Sequence, residues 1–140
     1  MTNVEMARSS LRQARRILEE AERHHREGVW HLAVRRSQET VELALKAALR
    51  AAGVEVPHVH DVGIFVREHA EKLSGPLTKH LDRVVSISRR LREEREISFY
   101  GNEEVGTPPE QLYALHDAEE ALRDARFIFD LCEGCIPPPP

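Results

Sequence analysis

Trp30, Val34, Val41, Leu45, Ala48, Leu49 and Ala52 return at helical intervals along one unbroken stretch. Steps of three and four keep one side of an α-helix apolar, whereas a strand would need alternation at every second residue. Three further stretches repeat the pattern: Ala7, Leu11, Ala14, Leu18 and Ala21; Leu77, Leu81, Val84, Ser88 and Leu91; and Leu115, Ala118, Leu122, Ala125, Phe129 and Cys132. No segment alternates as a strand would, and no internal repeat is evident. Each stripe can leave water only against another, so the chain is predicted to be all-α, an up-down bundle of four or five helices.

Start and stop signals divide the chain. Thr2 and Glu5 form a capping box for the first helix, which ends near Gly28. The second helix stops at Gly53, followed by Pro57, and should lie antiparallel to the first. Asp61 is placed as the N-cap of a short third helix containing Ile64, Phe65, Val66, Ala70 and Leu73, and Ser74-Gly75-Pro76 interrupts the pattern. The fourth helix runs from Leu77 to about Ser98, and residues 101–106 read as a loop. Thr107-Pro108-Pro109-Glu110 then combines an N-cap, a proline suited to the first turn and a capping-box glutamate for the fifth. Gly134 is its C-cap. These boundaries give one helical domain over residues 1–134 and a disordered proline-rich tail over 135–140.

A chain of 140 residues with 41% apolar content suits a single core that buries about two thirds of its unfolded surface. Charged residues make up 31% and nearly balance, for a formal net charge of -4. That argues against nucleic-acid binding by the whole surface, leaving only a local patch, and no DNA specificity is evident. Arginine supplies 17 of the 20 basic side chains, from which no function follows. No apolar run approaches the roughly 18 residues of a membrane span, and residues 1–26 are charged rather than signal-like. A cytoplasmic protein without a membrane role is the expectation.

The stripe through Leu77, Leu81, Val84, Ser88 and Leu91 lands next on Arg95. A guanidinium cannot give up its charge, so a carboxylate, a phosphate or a subunit interface must compensate for burial there. The surrounding run, Arg89-Arg90-Leu91-Arg92-Glu93-Glu94-Arg95-Glu96, is basic and ends in Tyr100 and Gly101. Alternating Arg and Glu is the usual mark of a solvated face, and Glu42 with Lys46, four apart in the favourable order, makes an ordinary helix-surface ion pair.

Gln38 to Leu49, then Gly53, Pro57, His58 and His60-Asp61-Val62, together with Arg92 to Gly101 and with Tyr113, Asp117-Ala118, Ala121-Leu122 and Ala125-Arg126, resemble an HEPN domain over nearly the whole chain. The resemblance implies an up-down bundle that pairs as a homodimer around a central cleft. It implies links to RNA cleavage, to nucleotide binding, or to a companion nucleotidyltransferase, as in toxin-antitoxin and related defence systems. Ribonuclease members carry an arginine followed, after four to six residues, by a histidine at the end of the corresponding helix. Arg95 matches the arginine, but Tyr100, Gly101 and Asn102 stand where the histidine would be. The pair that does meet the spacing, Arg26 with His31, straddles Gly28 and is taken as coincidence, misplaced for the cleft.

RNA cleavage by 2′-hydroxyl attack needs proton transfer near neutral pH and stabilisation of negative charge on phosphorus oxygens. Arginine serves the second need. Histidine, with an ordinary pKa of about 6.5, serves the first, and tyrosine near 10 makes a poor base. Tyr100 is therefore read as a hydrogen-bond donor, a stacking platform or, by the resemblance, a loose match to the tyrosine to which a partner nucleotidyltransferase adds AMP. The leading expectation is a nucleotide- or RNA-binding module or nucleotidyltransferase partner with ligand contacts from Glu42, Lys46, Arg92, Arg95 and Asn102. An endoribonuclease using Arg95 and Tyr100 is the second reading, and a helical interaction protein without a ligand the third. His58, His60 and Asp61 supply too few ligands for a metal, Cys132 and Cys135 lack a second pair, and no glycine-rich phosphate loop occurs, so neither metal nor cofactor is expected.

Overall fold

The computed structural model describes residues 2–56, 58–73 and 75–140, and among them it is helical without a strand. Four long helices, α1 (Asn3–Arg26), α2 (Trp30–Ala51), α5 (Leu81–Tyr100) and α6 (Leu115–Cys135), form the bundle, and two short ones, α3 (Gly63–Glu68) and α4 (Gly75–Thr78), connect α2 to α5. No helix among the described residues is long and apolar enough to cross a membrane.

The central position belongs to α2, which packs against α1, α5 and α6. Its apolar arc is correspondingly wide, with Val34, Val41, Ala44, Leu45, Ala48 and Leu49 all buried. Ala7, Ala14 and Ala21 recur every seven residues on α1 and are fully buried, so the α1 and α2 backbones approach closely. Phe129, Ile128 and Leu122 of α6 and Val84, Ile87 and Leu91 of α5 complete the core. Contact between α5 and α6 is slight by comparison, and a cleft of about 310 Å³ opens between them over Val34.

Local signals hold where the backbone needs them. The Thr2–Glu5 capping box is formed in both directions. Gly28 and Gly53 adopt positive φ just past α1 and α2, and the Val54 N–H closes the α2 terminus on the Leu49 carbonyl. Pro57 and Ser74, read from sequence as parts of stop signals, lie outside the described residues.

Five boundaries differ from the sequence reading. The third helix is shorter, since Ala70–Lys72 form a 3₁₀ turn. The fourth is broken at Lys79 and His80, so Leu77 belongs to α4 and the rest of the stripe to α5. Asp61 does not cap α3. Ser88 on α5 accepts the Gly63 N–H at 3.0 Å and donates to Asp61 Oδ1 at 2.8 Å, a tertiary bond that replaces the local one. Thr107-Pro108-Pro109-Glu110 does not start α6, because Thr107 is paired with Asn102 as an isolated bridge and Pro109–Gln111 make a single 3₁₀ turn. The start lies at Leu115, where the Asp117 carboxylate accepts the Ala114 N–H. Finally, Gly134 does not cap α6, which continues to Cys135.

The sequence-based boundary assigns Ile136 to the tail. In the structure it is 7% exposed against Ala7 and Ala47, and Arg8 donates to the Pro137 and Pro138 carbonyls.

Ser88→Ala removes both bonds that fix the α2–α3 loop on α5. The expected cost is about 1–2 kcal/mol, from the orphaned Gly63 N–H, measured as a lowered urea midpoint at unchanged slope.

Candidate functional site

The step from Leu91 to Arg95 turns the α5 stripe from the core toward a polar patch on α2. Gln38, 2% exposed, faces it. Arg95 Nη1 donates to Gln38 Oε1 at 3.0 Å, and Gln38 Nε2 donates to Glu42 Oε1 at 3.0 Å, so the amide bridges guanidinium and carboxylate. Arg95 Nη1 also lies 3.8 Å from Glu42 Oε1.

Glu42 is the hub. Lys46 Nζ, one turn on, donates to its Oε2 at 3.1 Å, and His60 from the α2–α3 loop places Nδ1 2.9 Å from Oε1. The side chains of Glu42 and Arg95 are only 16% and 21% exposed. Burial pushes the Glu42 carboxyl up, but hydrogen bonds from Gln38, Lys46 and His60 together outweigh it and hold the group below its ordinary value. One carboxylate thus faces two permanent cations and an imidazole, and the patch keeps a positive excess.

That excess continues along α2. A groove of about 510 Å³ begins at Lys46 and is lined by Arg50, His58, Asn3 and Glu55. The cleft between α5 and α6 has the opposite character. Among the described residues, Glu93, Glu94, Asp117, Glu120 and Asp124 line it against the single cation Arg90, which is itself bound to Glu120 and Asp124. An anion is repelled there and attracted to the Glu42 side.

Of the residues singled out from sequence, Arg95, Glu42 and Lys46 are brought together. Arg92 instead pairs with the exposed Glu96, and Asn102 closes the turn after α5 by exchanging backbone hydrogen bonds with Thr107. Tyr100 is 60% exposed, with its ring edge-on to Phe99. Among the described residues no hydrogen bond links it to Arg95.

Four contributors escaped sequence reading. Gln38 entered only as the first residue of the family-like stretch on α2, with no role of its own. His60 was weighed as a metal ligand and counted in the family-like stretch, not as a partner of Glu42, though its place eighteen residues beyond Glu42, across a helix stop, is what lets the loop fold back. Arg35 donates to the Arg95 carbonyl at 2.5 Å and lies over the Phe99 ring. His31 was read as misplaced, yet its ring sits 3.3 Å from the Ser98 carbonyl, one of the open acceptors at the α5 terminus, so α2 reaches the last turns of α5 with two side chains.

Among the described residues no three His, Cys, Asp or Glu side chains gather as a metal site. Cys132 is fully buried, which pushes its thiol well above the ordinary range.

Comparison with curated proteins returns no match. Among solved structures, the chain is similar to TT1696 from Thermus thermophilus, with 27% identity, 91% of this chain and 96% of that one covered, and a TM-score of 0.77. It is also similar to ST0689, described as an archaeal HEPN homologue, with 26% identity, 96% and 98% covered, and a TM-score of 0.70. The family model described as HEPN domain matches residues 7–135. With the match spanning nearly the whole bundle, the chain belongs to the HEPN domain family.

Proposed function

We propose that the chain is a phosphate-directed binding module for single-stranded RNA or a nucleotide, acting through Arg95, Lys46 and the groove beyond them. The observation that supports this most is the imbalance at Glu42, where one carboxylate serves Arg95, Lys46 and His60. Phosphate oxygens supply the missing negative charge, and Arg50 and His58 extend the positive track. Phe99 and Tyr100, exposed at the end of α5, offer faces on which bases stack.

The same aromatic end, with the exposed Ile97, gives a second copy of the chain an apolar surface for pairing. Tyr100 is accessible enough to accept AMP from a nucleotidyltransferase partner, as in a toxin-antitoxin setting.

Fluorescence anisotropy with a short labelled single-stranded RNA, and competition by ATP and AMP, test the binding reading across a salt series. Arg95→Ala, Lys46→Ala and Arg50→Ala are each expected to weaken RNA binding about 3- to 10-fold and to reduce the salt slope by about 0.7, one released phosphate contact. Absence of any salt-dependent binding contradicts the proposal and leaves the chain a helical interaction protein.

A further inference from the structure

The joint between α1, the last turn of α6 and the tail is separate from the Glu42 centre and carries chemistry of another kind. Ile136, with φ -110° and ψ 123°, leaves α6 in the extended conformation that a following proline demands. Its buried side chain fixes the start of the tail on Ala7 and Ala47. The prolines that follow have no N–H, so only their carbonyls can bind, and Arg8 supplies the donors: Nε to Pro137 at 2.8 Å and Nη2 to Pro138 at 2.6 Å. Because proline presets φ, a tail held at Ile136, Pro137 and Pro138 makes a stiff wall.

Between that wall and α1 lies a cavity of about 580 Å³, a size that suits a small molecule. Leu11, Ile136, Pro137, Pro138 and Pro139 make its sides aliphatic, and among the described residues no aromatic ring lines it. Three charged groups line it as well, Arg8, Arg12 and Glu133. Glu133 is spent, since Arg15 holds it at 2.6 Å. Arg8 is committed through Nε and Nη2 to neutral carbonyls, which leave its charge uncompensated. Arg12 pairs with no carboxylate among the described residues. Glu5, the carboxylate of the adjoining groove, accepts the Thr2 N–H instead. Aliphatic walls therefore stand beside two guanidinium charges that have no carboxylate of their own.

We infer that this cavity binds an aliphatic carboxylate, its head on Arg12 and Arg8 and its chain between Leu11 and the prolines. A guanidinium meets a carboxylate with paired donors, and apolar walls that exclude water strengthen the pair. Burial of the chain against Leu11, Ile136 and the proline rings adds the gain from apolar area removed from water. An inorganic anion gains only the first contribution and a neutral alcohol only the second. A nucleobase finds no ring here on which to stack.

The test titrates the full chain with decanoate at neutral pH, below its micellar range, by calorimetry, and follows the Leu11 and Ile136 methyl signals by NMR. Saturable binding at a single site is expected, with both methyl signals shifted. 1-Decanol and inorganic phosphate should each bind at least about tenfold more weakly. Arg12→Gln should weaken decanoate about tenfold, the loss of one charge-assisted contact, whereas Arg16→Gln on the same helix should leave it within about twofold. Arg12 and Arg16 are both exposed, so neither replacement disturbs the core, and circular dichroism checks that the fold is retained. Equal affinity for decanoate and 1-decanol, affinity that Arg12→Gln does not change, methyl shifts confined to Ile97, or absence of saturable binding each overturns the inference.

Discussion

Gly101→Ala is expected to lower the stability of the domain by about 3 kcal/mol or more, through strain and overlap together. Gly101 has φ 75° and ψ -164°, a combination that only glycine adopts without strain and that costs an L-residue of order 1–3 kcal/mol. Space adds to the cost. A Cβ on Gly101 would stand 2.2 Å from the Thr107 carbonyl oxygen and 2.9 Å from the Pro109 nitrogen, and backbone atoms cannot retreat as a flexible side chain can. The contact exists because the chain after α5 turns back at once, pairing Asn102 with Thr107. Thermal or urea unfolding of the variant checks the magnitude, and a loss below about 1 kcal/mol, the low end of the strain cost alone, would mean that this turn is not held as described.

Glu42→Gln is expected to have two effects of opposite sign. At neutral pH it should destabilise the fold by about 1–2 kcal/mol, because Arg95 and Lys46 keep their charges and lose their counterion in a partly buried setting. The same loss should tighten short RNA about 3- to 10-fold, since the competing negative charge beside the anion is gone. Acid removes the stability difference. The folded Glu42 carboxyl lies below its ordinary value, so its contribution is present above that ordinary value and is lost as pH falls through the depressed folded one. Urea midpoints of wild type and variant should therefore converge in strong acid and separate toward neutrality. Equal midpoints at neutral pH would remove Glu42 as the hub.

The bundle was legible because its four stripes are long and each repeats at helical intervals over several turns. The site was legible at Arg95, where a charged residue falls in step with an apolar stripe, and at Glu42 and Lys46, one turn apart on α2. What sequence hid was tertiary. Ser88 was counted as one more member of the stripe, and its hydroxyl is what anchors Gly63 and Asp61. Thr107-Pro108-Pro109-Glu110 carries every local mark of a helix start, but pairing of Thr107 with Asn102 and the close approach of Gly101 take that segment for a turn. His60 came to Glu42 through loop closure, which no spacing rule encodes. The basic run, in turn, splits by face. Arg90 points its charge into the acidic cleft against Glu120 and Asp124, Arg92 pairs along its own helix, and Arg95 reaches α2.

Side-chain nitrogen NMR of the labelled protein, titrated with a short single-stranded RNA, tests the location of the site most directly. Perturbation of the Arg95 guanidinium and the His60 ring nitrogens, with smaller changes at Lys46 and Arg50, is the expected result. Unchanged Arg95 and His60 signals alongside perturbations confined to the cleft between α5 and α6 would contradict it.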